Sequence, residues 1–236
     1  MKKGIILSSG GVDSTTCISL AIKELGKENV STLSFYYGQK HSKELECARK
    51  IAEFFDIPHK EIDLSKAGIF DGSNCSLLNS SGVDVPEESY AEQIAKNGEG
   101  MVSTYVPFRN GLMLSTLAAV AMSIYPEDTV YVYLGAHADD AAGNAYADCS
   151  LEFVEAMSKA IRIGTYEKVL VQVPFVNSTK AGVVKKGLEL GTPYALTWSC
   201  YKGGEKPCGK CGTCIDRAKA FEENGVVDPA LNYKED

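Results

Sequence analysis

No apolar run in this chain of 236 residues approaches the roughly 20 needed to cross a bilayer as a helix, so no membrane partner is expected. The start Met1-Lys2-Lys3 lacks the apolar core and cleavage pattern of a secretory signal, and a cytoplasmic protein is expected. Basic charge is in short supply: 24 Lys and Arg face 31 Asp and Glu, a net charge of −7, with the basic residues scattered. That argues against a broad nucleic-acid surface, while leaving room for a local cationic patch. Internal repeats and a dividing linker are missing too, so a single domain spanning 1–236 is expected, long enough for one substantial core. The first glycine turn carries neither G-x-G-x-x-G nor the lysine of G-x-x-x-x-G-K-[ST], which excludes the two commonest nucleotide fingerprints there.

What is present is a regular alternation of strand and helix. Val30–Phe35 is rich in strand formers, and Ser42–Phe55 places Leu45, Ala48, Ile51, Ala52 and Phe55 on one helical face before Pro58. His59–Leu64, Thr129–Leu134 and Lys168–Val173 read as strands, while Leu151–Ile163 and Thr179–Leu190 read as helices. Asn110–Ile124 is apolar nearly all round, as a buried helix would be. This order implies an α/β fold, a Rossmann-like parallel sheet with helices on both faces and right-handed crossovers. Ligands of such sheets collect at the carboxyl ends of the strands. Lys66 to Gly100, rich in Ser, Gly, Asn and Glu, has no clear period and is expected to be irregular: a lid, an oligomer contact or a disordered segment.

The opening stretch organises the rest. Ile5-Ile6-Leu7 runs into Ser8-Ser9-Gly10-Gly11-Val12-Asp13-Ser14 and then a helix, which makes a strand, a tight glycine turn and a helix N-terminus. Such a turn aims free backbone N–H groups and the positive end of the helix dipole at one anion. Ser8, Ser9 and Ser14 add hydroxyl donors, and Asp13 adds a carboxylate suited to a metal or a cap. An ordinary βα turn is the plain alternative. Three hydroxyls and an acid in so short a loop favour a phosphate site.

Further candidates lie at other strand ends. The aromatics of Phe35-Tyr36-Tyr37 either flank an adenine or belong to the core. Arg109, just ahead of the buried helix, is placed to reach a phosphate, or else to satisfy loop carbonyls. His137, Asp139 and Asp140 suit a magnesium or substrate site, with capping as the alternative. Asp148 either caps the helix that follows or accepts hydrogen bonds from a base edge. Cys200, Cys208, Cys211 and Cys214 form C-x7-C-x2-C-x2-C among glycines, a spacing that lets four thiolates meet at one structural zinc. An iron–sulfur cluster is the competitor, but the bacterial ferredoxin order has its last Cys downstream and followed by Pro. Cys17, Cys47 and Cys75 are scattered and read as core thiols.

Ser9-Gly10-Gly11-Val12-Asp13-Ser14 resembles the S-G-G-x-D-S pyrophosphate loop of the N-type ATP pyrophosphatases (adenine nucleotide alpha hydrolase-like fold). Over almost its full length the chain resembles the 7-cyano-7-deazaguanine synthases of the queuosine pathway. The resemblance rests on that loop, Tyr37-Gly38-Gln39, Val106-Pro107-Phe108-Arg109-Asn110, Asp148-Cys149, Pro174-Phe175 with Lys180, Leu196-Thr197-Trp198-Ser199-Cys200-Tyr201 and Cys208-Gly209-Lys210-Cys211-Gly212-Thr213-Cys214. It departs at Ala147, where the family's Tyr-Pro-Asp-Cys has proline.

The resemblance implies 7-carboxy-7-deazaguanine, ammonia and ATP as substrates, Mg²⁺ and structural Zn²⁺ as metals, and a homodimer. It implies ATP binding by the run Ser8, Ser9, Gly10, Gly11, Val12, Asp13, Ser14, Thr15, Thr16, Cys17, Ile18 together with Arg109. Asp13, Ser14, Arg109 and Lys180 would act in catalysis, and Tyr37 and Asp148 would contact the deazapurine. The carboxylate would be adenylated, aminated to an amide, activated again and dehydrated to the nitrile. A tRNA-modifying ATP pyrophosphatase and a non-catalytic nucleotide-binding zinc module are the alternative readings.

Overall fold

The computed structural model describes residues 1–98 and 100–230, so Glu99 and the last six positions of the expected 1–236 domain lie outside the described residues. The first strand, β1 (Lys2–Leu7), is the centre of the molecule. Its Gly-Ile-Ile-Leu run is buried on both faces, as expected of a strand in the middle of a parallel sheet. Helix α1 (Val12–Leu25) follows, then β2 (Val30–Tyr36), α2 (Lys43–Phe55) and β3 (His59–Asp63). After a long connection come α3 (Tyr90–Asn97), α4 (Arg109–Ile124), β4 (Thr129–Tyr133), the single turn α5 (Ala138–Ala141), α6 (Leu151–Gly164) and β5 (Val169–Gln172). Helices α7 (Lys180–Leu190) and α8 (Gly212–Glu223) complete the described chain.

The five strands are all parallel, in the order β3-β2-β1-β4-β5. Ile5 pairs with Ser31 on one side and with Val132 on the other. The chain therefore moves outward from β1 in one direction and later returns to its other side, and a cleft opens at the carboxyl ends where the direction reverses. Successive β1 side chains separate into two cores. Ile5 and Leu7 meet Leu114 and Leu117 of α4 on one face, while Ile6 meets Ile18 of α1, Val184 of α7 and Phe221 of α8 on the other. This is the expected sheet with helices on both faces. No helix among the described residues is long and apolar enough to cross a membrane.

The segment from Lys66 to Gly100 is more ordered than its composition suggests. Phe70, Cys75, Leu77 and Leu78 are buried in the α4-side core. Its last part is α3, opened by a capping box: the Glu92 N–H donates to Ser89 Oγ and the Ser89 N–H donates to Glu92 Oε2. These four buried side chains hold the first part of the segment to the body, and the box fixes the start of α3.

Candidate active site

The loop after β1 is built mostly from its own small residues. The Ser9 N–H donates to Ser14 Oγ at 3.2 Å, and the Gly11 N–H donates to Ser9 Oγ at 3.3 Å. Gly10 sits at φ +74°, and a Cβ there would lie 2.2 Å from the Glu44 carbonyl oxygen, so the first turn of α2 backs directly onto the loop. The first intrahelical bond of α1 runs from the Thr15 N–H to the Gly11 carbonyl, 3.2 Å away. The N–H groups of Val12, Asp13 and Ser14 are thus left without a helical acceptor at the cleft. Thr15, Thr16, Cys17 and Ile18 are placed differently. The hydroxyls of Thr15 and Thr16 turn back to the Gly11 and Val12 carbonyls, all four residues are buried, and none lines the cleft. They hold the loop from behind.

At the mouth of this loop lies a charged group. Lys180, the first residue of α7, places Nζ 2.5 Å from Asp13 Oδ2, with both side chains largely buried. His137 Nε2 stands 3.8 Å from Asp13 Oδ1 and 3.5 Å from Asp140 Oδ1. Burial would raise the Asp13 carboxyl, but the positive charge of Lys180 and His137 outweighs it, and the net direction is downward. Asp140 goes the other way: burial raises it, and the neighbouring His137 only partly offsets that. Asp216 of α8 is also raised by burial, with Lys180 opposing. Asp139 does not join this group as an acid. Its Oδ2 accepts the Lys180 backbone N–H at 2.7 Å and so fastens the start of α7.

Asp13 Oδ1 is buried with no hydrogen-bond partner among the described residues, as is Ser8 Oγ. A buried, unpaired carboxylate oxygen beside a bed of N–H donors fits a divalent cation held by one or two carboxylates plus phosphate oxygens. The donor set therefore suits magnesium.

The cleft runs from this charged end to an aromatic one, and its void, open mouth included, is ≈ 1340 Å³. Arg109 lies between the two ends. Its Nη1 donates to the Tyr37 hydroxyl at 3.3 Å, and its guanidinium carbon is 5.9 Å from the centre of the Tyr37 ring. Phe35 and Tyr37 belong to the core, as one sequence reading expects, and also line the cleft.

Three further tyrosines, from distant parts of the chain, close the aromatic end. The Tyr90 and Tyr201 hydroxyls are 3.0 Å apart, and the Tyr146 hydroxyl donates to Tyr90 at 3.1 Å. Tyr90 arrives on α3, within the segment whose role the sequence leaves open. Glu44 lines the wall near Arg109. Glu44, Tyr90, Tyr146 and Asp216 are absent from the sequence-based candidates. For Glu44 a signal exists: it is an acid in the first turn of a helix that starts beyond the carboxyl end of β2.

Asp148 does not line the cleft. Its Oδ2 accepts the Asn110 backbone N–H at 2.9 Å, and the following helix α6 is capped instead by Ser150, whose hydroxyl accepts from Phe153 N. Asp148 thus caps α4 from across the chain and lies one residue from Arg109 in that contact. Cys149 borders the cleft, but burial pushes its thiol well above the usual range and the Asn110 amide donates to its sulfur at 3.2 Å, so no thiolate is on offer.

The four C-terminal cysteines converge. All four sulfurs of Cys200, Cys208, Cys211 and Cys214 lie within 4.8 Å of one another, against about 3.8 Å expected around a tetrahedral ion with metal–sulfur bonds of about 2.3 Å. The Cys208 and Lys202 N–H groups donate to Cys200 Sγ, and the Lys210 and Cys211 N–H groups donate to Cys208 Sγ, a pattern that stabilises thiolates. The set fits a structural metal. It also positions cleft residues: Trp198 and Tyr201 flank Cys200, and Trp198 Nε1 donates to the Cys200 carbonyl at 2.8 Å.

Comparison with known proteins agrees with this geometry. The family model for queuosine biosynthesis protein QueC matches residues 3–225. The 7-cyano-7-deazaguanine synthase of Caldicellulosiruptor saccharolyticus is 44% identical over 227 residues, covering 96% of this chain and 94% of that protein. The one from Hahella chejuensis is 44% identical over 230 residues, covering 96% and 91%. The one from Archaeoglobus fulgidus is 41% identical over 234 residues, covering 99% and 91%. With that match running from β1 through the cysteine cluster, the chain belongs to the QueC family of queuosine biosynthesis proteins.

Proposed function

We propose that this cleft carries out the reaction for which the relatives are named, an ATP-dependent ligation that turns 7-carboxy-7-deazaguanine and ammonia into 7-cyano-7-deazaguanine. The observation that carries it is the Lys180–Asp13 pair at the mouth of the glycine loop, in one cavity with Arg109 and an aromatic wall. Family membership favours this reading over a tRNA-modifying enzyme or a non-catalytic module.

A carboxylate is a poor electrophile because its oxygen leaves badly. Attack of that oxygen on the α-phosphate of ATP makes an acyl adenylate and expels pyrophosphate, and ammonia then displaces AMP to give the amide. A second ATP activates the amide oxygen, whose departure leaves the nitrile. Each activation builds negative charge on a departing phosphate group. The N–H groups of Val12, Asp13 and Ser14, the hydroxyls of Ser9 and Ser14, and the Lys180 ammonium would take up that charge, a role supported by their gathering at one end of the cleft. Magnesium, when bound, neutralises phosphate charge, and Asp13 with Asp140 would hold it. Arg109 is placed for the carboxylate or the α-phosphate, and the Tyr37 ring offers a flat wall to a planar ring system. Asp148 acts on the substrate indirectly, by fixing the start of α4 and with it Arg109. The four cysteines hold zinc as a structural clamp, and the chain, 1–236, acts as a single domain. The exposed side chains of Met101, Phe108 and Leu151 support pairing of two copies, which sedimentation would test.

The decisive experiment incubates the protein with ATP, Mg²⁺, an ammonium salt and 7-carboxy-7-deazaguanine. Nitrile appearing with AMP and pyrophosphate supports the assignment. ATP turnover indifferent to the deazapurine, with no amide or nitrile formed, refutes it.

A further inference from the structure

Ammonia must lose protons on its way to a nitrile, and neither member of the Lys180–Asp13 pair at the charged end is free to take them. Lys180 is a cation bound to Asp13, and Asp13 is held ionised against it. Glu44 is differently placed. It stands in the first turn of α2, lines the cleft, and belongs to the turn whose backbone presses on Gly10 of the phosphate loop. Its carboxylate has no hydrogen bond and no ion pair among the described residues, although the groups around it are charged or polar. Arg109 of α4 faces it, Tyr37 beyond the end of β2 lies within electrostatic reach, and Cys200 approaches from the cysteine cluster. The residue is half-buried in the cleft wall, and its unpaired carboxyl is left to whatever enters the cleft.

We propose that Glu44 is the general base of the amination, a catalytic residue that accepts the proton the ammonia nitrogen sheds as it displaces AMP. The inference rests on the synthase reading above. Ammonium first gives up one proton to water and enters the cleft as ammonia. The nitrogen lone pair forms the C–N bond, the C–O bond to AMP breaks, and AMP leaves with that electron pair. One N–H proton passes to the Glu44 carboxylate. In the dehydration that follows, the activated amide oxygen leaves and the same nitrogen must be stripped of its remaining protons, so an acceptor at this position serves both halves of the reaction. Between the two, Glu44 returns its proton to water through the open mouth of the cleft. Burial pushes the Glu44 carboxyl up, to about 7, with Arg109 opposing, which matches a base that must accept and release a proton near neutral pH.

The test separates activation from amination in Glu44→Gln, which is isosteric. Deazapurine-dependent exchange of pyrophosphate into ATP, run without ammonia, reads the adenylation alone and also reports that the variant is folded. We expect exchange within twofold of the native protein, and amide formation from ammonia at pH 7 slower by about 100-fold or more. Hydroxylamine, largely unprotonated at that pH and a stronger nucleophile, should restore most of the lost rate as hydroxamate. Two results overturn the proposal while leaving the function intact: exchange falling as far as amide formation, which would make Glu44 a ligand of ATP or of the carboxylate, or amide formation undiminished. A native protein that shows no exchange with 7-carboxy-7-deazaguanine overturns the synthase reading itself, and this inference with it.

Discussion

Arg217 of α8 and Asp228 form the most deeply buried ion pair among the described residues, and its loss has a size that can be worked out. The two side chains are 4% and 3% exposed, and the guanidinium is bidentate on the carboxylate at 2.6 and 2.9 Å. Its remaining donors go to the Tyr194 and Thr197 carbonyls at 3.3 and 3.4 Å and to Ser199 Oγ at 3.2 Å. Asp228→Asn keeps the shape and removes the charge, leaving a guanidinium in the protein interior with no counter-charge among those partners. Breaking a buried pair in this way costs about 3–5 kcal/mol, a large part of a total stability of about 5–15 kcal/mol. For a chain of this length the melting temperature should fall by roughly 6–20 °C. Urea unfolding followed by circular dichroism, with zinc kept in excess, is the direct assay. Arg217→Met with Asp228→Leu should recover only part of the loss, because the Tyr194 and Thr197 carbonyls lose their donor. A change below about 1 kcal/mol in Asp228→Asn would refute the reasoning, since it would mean that water or another group already compensates Arg217.

Three other outcomes are expected. Lys180→Met should slow deazapurine-dependent pyrophosphate release by about 100- to 1000-fold. Asp13, no longer held down by that ammonium, should also lose its charge at a higher pH, so the acid limb of the rate profile moves up, which a pH series would detect. A zinc chelator, or Cys214→Ser, should shift the fluorescence of Trp198, the only tryptophan, and abolish activity in parallel, because its ring nitrogen is bonded to the Cys200 carbonyl. In the native protein, amide formation at fixed free ammonia should rise as pH climbs through about 7 and Glu44 becomes the carboxylate. Glu44→Gln should lose that rise, and a profile identical in both would count against the base.

The parts of this molecule that declare themselves in sequence are those whose physics is local. β1, its glycine turn and α1 are legible because apolar run, small residues and helix are contiguous, and Gly10 needs its positive φ whatever happens elsewhere. The cysteine cluster is legible for the same reason: eleven of its fifteen positions are spacing and turns around four like ligands. The aromatic end is not, because Tyr37, Tyr90, Tyr146 and Tyr201 meet only after the sheet has formed. α3 is half visible, as Ser89 and Glu92 spell a capping box, but the helix behind them is short and polar. Asp148 has no local signal for its role, since the N–H it accepts belongs to Asn110, 38 residues earlier.

The order of the chain has a consequence for synthesis on the ribosome. The loop that would hold pyrophosphate is among the first segments made, yet its Gly10 carbonyl is satisfied by the N–H of Trp198, and Trp198 is in turn stationed by the cysteine cluster and by Arg217 and Asp228. A nascent chain therefore carries the nucleotide loop long before it has the wall that encloses a substrate. The contacts that complete this loop are therefore all available only once translation has passed Asp228.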